Sequence, residues 1–170
     1  EIELRKQFEI AKLNKIKIDH VNSHEHFCTI PKIFEIVCNL CNEFNVKKIR
    51  VSNEPFFIYG KIKHNLNFIF LINFIKWFVL KIFSVFNYRS AKKHNLKSPD
   101  CFVGILYTGN MNKEICTQII KKFSNKFSEI EFLFHPAEYH TSTNELYFSR
   151  KSRGYCMHPN RKKELTNLLS

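Results

Sequence analysis

The sequence predicts an α/β fold with a parallel sheet. Strand-like and helix-like segments alternate along the 170 residues, which is the pattern that successive β–α units produce. Several of the predicted strands also end in His or Arg side chains, as expected if the carboxyl ends of parallel strands meet at one site. The length suits one domain, or part of a larger one.

The first elements are a helix, a strand and a second helix. Apolar residues up to Leu13 recur at helical spacing. Ile16, Ile18 and His20 then alternate with polar residues, which predicts a strand. From Pro31 the helical spacing returns, and proline suits a first helical turn because its missing N–H would have no partner there.

The later elements follow the same alternation. Short strands are predicted at 49–51, at 102–105 and in "EIEFLF", which leads to His135. A helix is predicted after Asn112, whose side chain is a good amino-terminal cap. The segment "NRKKELTNLL" predicts a final helix.

A long apolar segment from Leu66 to Phe86 could by length cross a bilayer. Lys76 and Lys81 lie inside it, and each costs about 2.5–3.5 kcal/mol on insertion scales. The polar residues fall within one arc of a helical wheel: Asn73, Lys76, Lys81, Ser84 and Asn87. The pattern therefore predicts an amphipathic helical insertion at about 64–92. Its apolar face either packs on the protein core or lies in a membrane interface with the basic residues toward the headgroups.

The net charge of +12 favours contact with polyanions. The charge is spread along the chain, and no helix-turn-helix, RNP-type or Cys/His finger pattern accompanies it. We therefore expect no specific nucleic-acid binding. The chain starts without an apolar signal sequence, so the expected location is cytoplasmic, with membrane association through the amphipathic helix as an addition.

Six cysteines in a chain without a secretory signal favour reduced thiols over a disulfide framework. Cys38 and Cys41 form a C-x-x-C pattern inside an apolar helix. We interpret them as two small buried residues rather than as a redox pair.

The segment "NSHEHFC" concentrates possible metal ligands. In an extended chain, residues i and i+2 share a face, so His24, His26 and Cys28 would point together. Neutral imidazole is a common metal ligand. By itself this spacing leaves a metal site, a solvated loop and a core histidine open. His135 is open in the same way between a general acid or base and a loop histidine.

Four segments, in order along nearly the whole chain, together resemble the YdjC-like carbohydrate deacetylases, which include chitooligosaccharide and hopanoid-associated types. They are "HVNSHEHFCTIPKIFEIVCNL", "IRVSNEP", "SPDCFVGILYTGNM" and "EIEFLFHPAEY". Their joint order is more specific than any one of them.

This resemblance implies a distorted, TIM-like (β/α) barrel and a hydrolase that removes N-acetyl groups from amino sugars of an oligosaccharide or glycolipid, with a divalent metal ion, Mg ahead of Zn. His24 matches a metal ligand of the family. His135 matches the histidine of a His-Pro motif, for which we expect a role as general acid or in holding the tetrahedral intermediate. His26, Arg50 and Glu54 match residues that line or support the substrate site.

The chain departs from the family pattern at two places. Cys28 stands where the family has a third histidine, and the family's Asp-Asp motif and second metal histidine match nothing here. We therefore expect residues 1–170 to be the C-terminal portion of a single barrel domain, without its first strands and inactive by itself. The alternative is a non-catalytic deacetylase-like module that binds a glycan or a membrane surface. Peripheral membrane contact and a homodimer are further expectations.

Overall fold

The computed structural model describes residues 1–60, 68–137 and 158–169. Along these residues, helices and short strands alternate. The helices are α1 (Ile2–Leu13), α2 (Pro31–Glu43), α3 (Phe68–Lys93), α4 (Lys113–Phe123) and α5 (Pro159–Leu169). The strands are β1 (His20–Val21), β2 (Lys48–Ile49), β3 (Cys101–Val103) and β4 (Ile130–Phe132).

The described strands pair in parallel, as sequential strands joined by helices do. β1 pairs with β2, and β3 pairs with β4, each as a two-stranded sheet. A parallel bridge between Lys48 and Lys97 extends the first sheet toward the segment that precedes β3. The closed barrel stays a prediction.

Most predicted elements are present, and the differences concern their lengths. α1 ends at Leu13 and α2 begins at Pro31, as predicted. β1 is shorter than the alternation from Ile16 suggested, because only His20 and Val21 pair with a neighbouring strand. The first residues of the helical insertion predicted at about 64–92 lie outside the described residues, and α3 continues to Lys93.

The described core has two main parts. One lies between α1, α2 and β2 and includes Phe34, Cys38 and Cys41; the other lies between β3, β4 and α4 and includes Val103 and Ile119. Cys38 and Cys41 are fully buried, and burial raises the pKa of these thiols to about 11 and about 12. Their interpretation as buried residues is confirmed. Cys156 lies outside the described residues.

The cap of α4 gives a first test. Asn112 Oδ1 accepts a hydrogen bond from the Ile115 N–H at 2.9 Å, which satisfies one of the free N–H groups of the first turn. We expect Asn112→Ala to lower the free energy of unfolding by about 1 kcal/mol in urea denaturation. Asn125→Ala, at an exposed position after the helix, is the control and should change it by less than about 0.5 kcal/mol. Equal effects of the two substitutions would contradict the capping role.

The orientation of α3 differs from both expectations. Asn73, Ser84 and Asn87 are buried against the rest of the protein, and Lys81 Nζ donates to Asn53 Oδ1 at 2.6 Å. The polar side of the helix therefore faces the protein. The expectation that the apolar face packs on the core is confirmed for Phe74, Trp77 and Leu80, and it is wrong for the large apolar residues that this helix leaves exposed. The expectation that Lys76 and Lys81 point toward lipid headgroups is wrong too, because both are half-buried on the protein side.

Candidate functional site

The site begins at a tight turn that follows β1. Residues His24–Thr29 form a 3₁₀ helix in which Glu25 and His26 have φ of 51° and 59°. Ser23 Oγ accepts a hydrogen bond from the Cys28 N–H at 3.0 Å, and Thr29 Oγ1 donates to the His26 carbonyl at 2.6 Å. These bonds hold a left-handed backbone that non-glycine residues rarely adopt.

The turn separates two histidines that the sequence pattern predicts on one face. His24 is exposed, whereas His26 is half-buried. The extended conformation predicted for His24, His26 and Cys28 is therefore wrong, because the hydrogen-bonded turn replaces the strand geometry.

His26 contacts the segment that follows β2 and a residue of β3. Its Nδ1 lies 3.2 Å from Ser52 Oγ, and its ring is edge-on to Phe102 with the ring centroids 6.0 Å apart. Burial lowers the pKa of His26 to about 4, and the positive charges of Lys76 and Arg50 add to this effect. The imidazole is therefore neutral at pH 7.

Arg50, at the end of β2, is held in place by two contacts. Its Nε donates to Glu131 Oε1 on β4 at 2.6 Å. Its guanidinium also stacks over Phe102, with Cζ 5.1 Å from the ring centroid. Arg50 thereby joins β2 to both strands of the second sheet.

Lys76 reaches the same place from α3. Burial lowers the pKa of its ammonium, and Glu25 acts in the opposite direction. Lys76 is close enough to His26 and His135 for its charge to lower the pKa of both. The sequence analysis did not assign Lys76 to the site. Its position among the few polar residues of an apolar helix could have indicated a role there.

His135 follows β4, and α5 holds its backbone. The His135 N–H donates to Glu164 Oε2 at 2.5 Å, and its carbonyl accepts from Arg161 Nη1 at 3.2 Å. Glu164 and Arg161 are both buried. Burial lowers the pKa of His135 to about 4, with further contributions from Arg161, Lys76 and Arg50. Glu164 was missed in the sequence, where it is one more charge on a polar helix.

Glu54 follows Arg50 in the sequence and is buried beside the loop after β3. It is buried, and its carboxylate accepts hydrogen bonds from the N–H groups of Gly104, Ile105 and Leu106 at 2.9, 3.0 and 3.2 Å. Burial raises the pKa of Glu54 to about 7, against the lowering effect of these three bonds. Glu54 therefore fastens the loop after β3.

The structure thus brings together three of the five predicted site residues. His26 and Arg50 both contact the Phe102 ring, and Lys76 and His135 are close enough to His26 for their charges to lower its pKa. His24 stands outside this group on the exposed side of the turn, and Glu54 is bound to the β3 loop. Two neutral imidazoles among positive charges form a place that suits a carbonyl oxygen or a developing oxyanion.

The residues that the structure describes do not make up a metal site. No group of three or more His, Cys, Asp and Glu side chains is arranged to hold a metal ion within residues 1–60, 68–137 and 158–169. His24 alone supplies one imidazole, whereas catalytic metal sites commonly use three protein ligands. This donor set does not fit a complete metal centre. The chemistry that the described residues themselves offer is that of imidazoles and fixed cations.

A cavity of about 420 Å³ is lined by residues of both sheets and of the segments next to their strands. Its lining includes Asp19, His20, Lys97 and Glu129, together with Arg50 and Glu131. His26 and His135 follow the carboxyl ends of β1 and β4, where active sites of β/α folds lie, and they are not among the residues that line this cavity. We therefore place the candidate site at His26 and His135.

Comparison with known proteins gives one match. A family model described as "YdjC-like protein" matches residues 1–170. No curated protein and no solved structure matches the chain.

Proposed function

The chain belongs to the YdjC-like family, which is generally related to carbohydrate deacetylases, and from this premise we propose that the protein hydrolyses N-acetyl groups of an amino sugar in an oligosaccharide or glycolipid. The observation that carries the proposal is the group formed by His26, His135, Arg50 and Lys76 at the carboxyl ends of the strands.

Amide hydrolysis needs what this group offers. Attack of water on the acetyl carbonyl places negative charge on its oxygen, and fixed positive charges and N–H donors lower the energy of that state. Lys76 and Arg50 supply the charge, and a neutral imidazole supplies an N–H. With a pKa of about 4, the His135 ring is neutral at pH 7 and has lost the proton that a general acid would transfer. Its remaining N–H can still donate a hydrogen bond to the oxyanion. The pKa therefore supports a role in holding the tetrahedral intermediate over a role as general acid.

A divalent ion belongs to the proposal as an expectation from the family resemblance. His24 is its candidate ligand, because it is exposed beside the turn that carries His26. Its other ligands would have to come from outside the residues that the structure describes.

The test is acetate release by the complete polypeptide that the gene encodes. We expect release from N-acetylglucosamine oligosaccharides or an N-acetylated glycolipid, in the presence of Mg²⁺ or Zn²⁺, and loss of release with a chelator. His24→Ala should weaken metal binding, measured by calorimetry, by at least about a hundredfold, since it removes a ligand rather than a supporting group.

His20→Ala is the matched control, because His20 is also exposed and its one described ion pair is to Asp19. It should bind metal and release acetate as the unchanged protein does. If no N-acetylated sugar releases acetate with either metal, the proposed function is wrong. If His24→Ala binds metal like His20→Ala, the role of His24 is wrong.

A non-catalytic deacetylase-like module is the second candidate. The incomplete donor set of the described residues favours it. It predicts binding of N-acetylated oligosaccharides without acetate release, which calorimetry and product analysis on the same samples would distinguish.

A further inference from the structure

Helix α3 has an apolar surface that the rest of the protein leaves uncovered. Three positions, each repeated every seventh residue, are large, apolar and exposed, so they form one continuous surface that we call the apolar stripe. Its members are Phe68, Leu71, Ile72, Ile75, Phe78, Val79, Ile82, Val85 and Phe86, with exposed fractions between 41% and 76%.

The stripe is too large to be ordinary surface. With about 150–250 Å² for a large side chain, these residues expose on the order of 800 Å². The largest apolar patch of a typical soluble monomer is about 300–600 Å². Such a surface is expected to have an occupant.

The opposite side of α3 is fixed to the protein by its polar groups. Asn73 Nδ2 donates to the Leu106 carbonyl at 3.3 Å, and Asn87 Nδ2 donates to the Thr29 carbonyl at 2.7 Å. Trp77 and Leu80 also pack on the core from this side. The helix thus turns its polar groups inward together with part of its apolar surface, and it leaves the apolar stripe outside, where a helix of a soluble protein usually has its polar face. The stripe cannot turn inward without breaking these bonds.

The charges at the end of the stripe indicate what covers it. The same three positions are occupied in the next repeat by Arg89, Lys92 and Lys93. No Asp or Glu occurs from Phe68 to Lys93. A second copy packed in parallel would bring these cations together, and an antiparallel copy would place them over the apolar start of the stripe, with no carboxylate on the helix to pair with them.

An anionic lipid surface fits both parts of the helix. Acyl chains would cover the apolar residues, and anionic headgroups would pair with the basic end. The net charge of +12 adds attraction to such a surface. By length and composition, Phe70–Lys93 could also cross a membrane. The bonds of α3 to the turn and to the β3 loop argue against crossing, because a span would carry irregular backbone into the hydrocarbon.

We propose that α3 lies in the plane of an anionic membrane surface, with the apolar stripe among the lipid acyl chains and Arg89, Lys92 and Lys93 at the headgroups. This contact is independent of the proposed catalytic function. It assigns the stripe, and not Lys76 or Lys81, as the membrane-contacting side of the helix.

The test is cosedimentation of the full chain with vesicles of equal parts phosphatidylcholine and phosphatidylglycerol. We expect binding that weakens at high salt, with weaker binding to vesicles of phosphatidylcholine alone. The variant Ile75→Gln/Phe78→Gln/Ile82→Gln should bind at least about a hundredfold less tightly. Its matched control replaces Ile2, Leu13 and Ile16, which are exposed apolar residues outside the helix, by glutamine and should bind within about twofold of the unchanged protein.

A second variant tests the contribution of the basic end of α3 to vesicle binding. Arg89→Gln/Lys92→Gln should weaken binding to the anionic vesicles about thirtyfold, at about 1 kcal/mol for each basic residue near the surface. Lys121→Gln/Lys126→Gln, at exposed positions in and after α4, is the control for charge alone. Circular dichroism on all variants checks that each is folded.

Several results would overturn the proposal. One is failure of the unchanged protein to bind the anionic vesicles; another is a stripe variant that binds as well as its control. A stable dimer in vesicle-free solution that the stripe variant converts to monomer would assign the stripe to a second copy. A vesicle-free monomer in which carbene footprinting finds the stripe protected would mean that the chain covers it itself.

Discussion

Replacing Glu54 by alanine is expected to lower the free energy of unfolding by at least about 3 kcal/mol. Three buried N–H groups, of Gly104, Ile105 and Leu106, lose their acceptor, and each unsatisfied buried donor costs about 1–3 kcal/mol. The measurement is urea denaturation followed by circular dichroism.

Glu54→Gln separates hydrogen bonding from packing. Its carbonyl oxygen can still accept from Ile105 and Leu106, while its amide group faces the Gly104 N–H, so the loss should be about 1–3 kcal/mol. Glu9→Ala, at an exposed position on α1, should change stability by less than about 0.5 kcal/mol. A stability of Glu54→Ala that equals that of Glu9→Ala would show that the β3 loop does not depend on Glu54.

The pKa of Glu54 gives the same residue a pH signature. Because burial raises this pKa to about 7, the folded state keeps a proton that the unfolded state loses near its ordinary value of 4.5. The stability from this group is therefore present below about pH 4.5 and is lost as the pH rises through about 7. The advantage of the unchanged protein over Glu54→Gln should be larger at pH 4.5 than at pH 8.

Replacing His135 by alanine is expected to lower the rate of acetate release from an N-acetylated sugar by about a hundredfold to a thousandfold, as expected for the loss of one hydrogen-bond donor to the oxyanion. His158→Ala is the control, since His158 is exposed and its ring accepts a hydrogen bond within the start of α5. A His135→Ala protein with the rate of the control would exclude His135 from the reaction.

The pH dependence tests which role His135 has. With a pKa near 4, the ring is neutral above about pH 5, so a rate that needs the neutral ring should stay level from about pH 5 to 8 and fall below. A general acid would give a rate that falls as the pH rises above about 4. Lys76→Met should raise the pKa of His135, measured by NMR titration of the ring, because Lys76 lowers it. No change in that pKa would contradict the placement of Lys76 beside the histidine.

The lowered pKa values of His26 and His135 also determine how the free energy of unfolding responds to acid. The pKa of His135 and of His26 lies below the ordinary value of 6.5, so protons favour the unfolded state. The contribution of the two histidines is present above about pH 6.5 and is lost as the pH falls through about 4.

Local chemistry made the helices predictable from the sequence. Pro31 begins α2 and the Asn112 side chain caps α4, and both signals depend on a few neighbouring residues. The turn at His24–Thr29 was not predictable in this way. Its left-handed residues, Glu25 and His26, are stabilised by a hydrogen bond that Ser23 accepts and one that Thr29 donates, and no spacing rule indicates these bonds.

The site was predictable in part, for a similar reason. Strand ends gave Arg50 and His135, because parallel strands bring their carboxyl ends together. The helical wheel of α3 predicted a polar and an apolar face but not which face points inward. The orientation depends on the carbonyls of Thr29 and Leu106, which accept hydrogen bonds from the helix and lie far from it in the sequence. Because the orientation was not predictable, the membrane alternative placed Lys76 toward the lipid headgroups.

The inward bonds of α3 make this helix part of the architecture of the site rather than an appendage. Besides its two asparagines, Trp77 Nε1 donates to the Glu54 carbonyl at 3.0 Å. Deleting the helix would remove donors from four carbonyls, of Thr29, Glu54, Leu106 and Thr108, and would take Lys76 from the histidines. A shortened protein in which a loop replaces this helix would thus lose these supporting bonds as well as the proposed membrane contact. In protein engineering, the outer residues of α3 can be replaced one at a time, whereas removal or exchange of the whole helix would disturb the site.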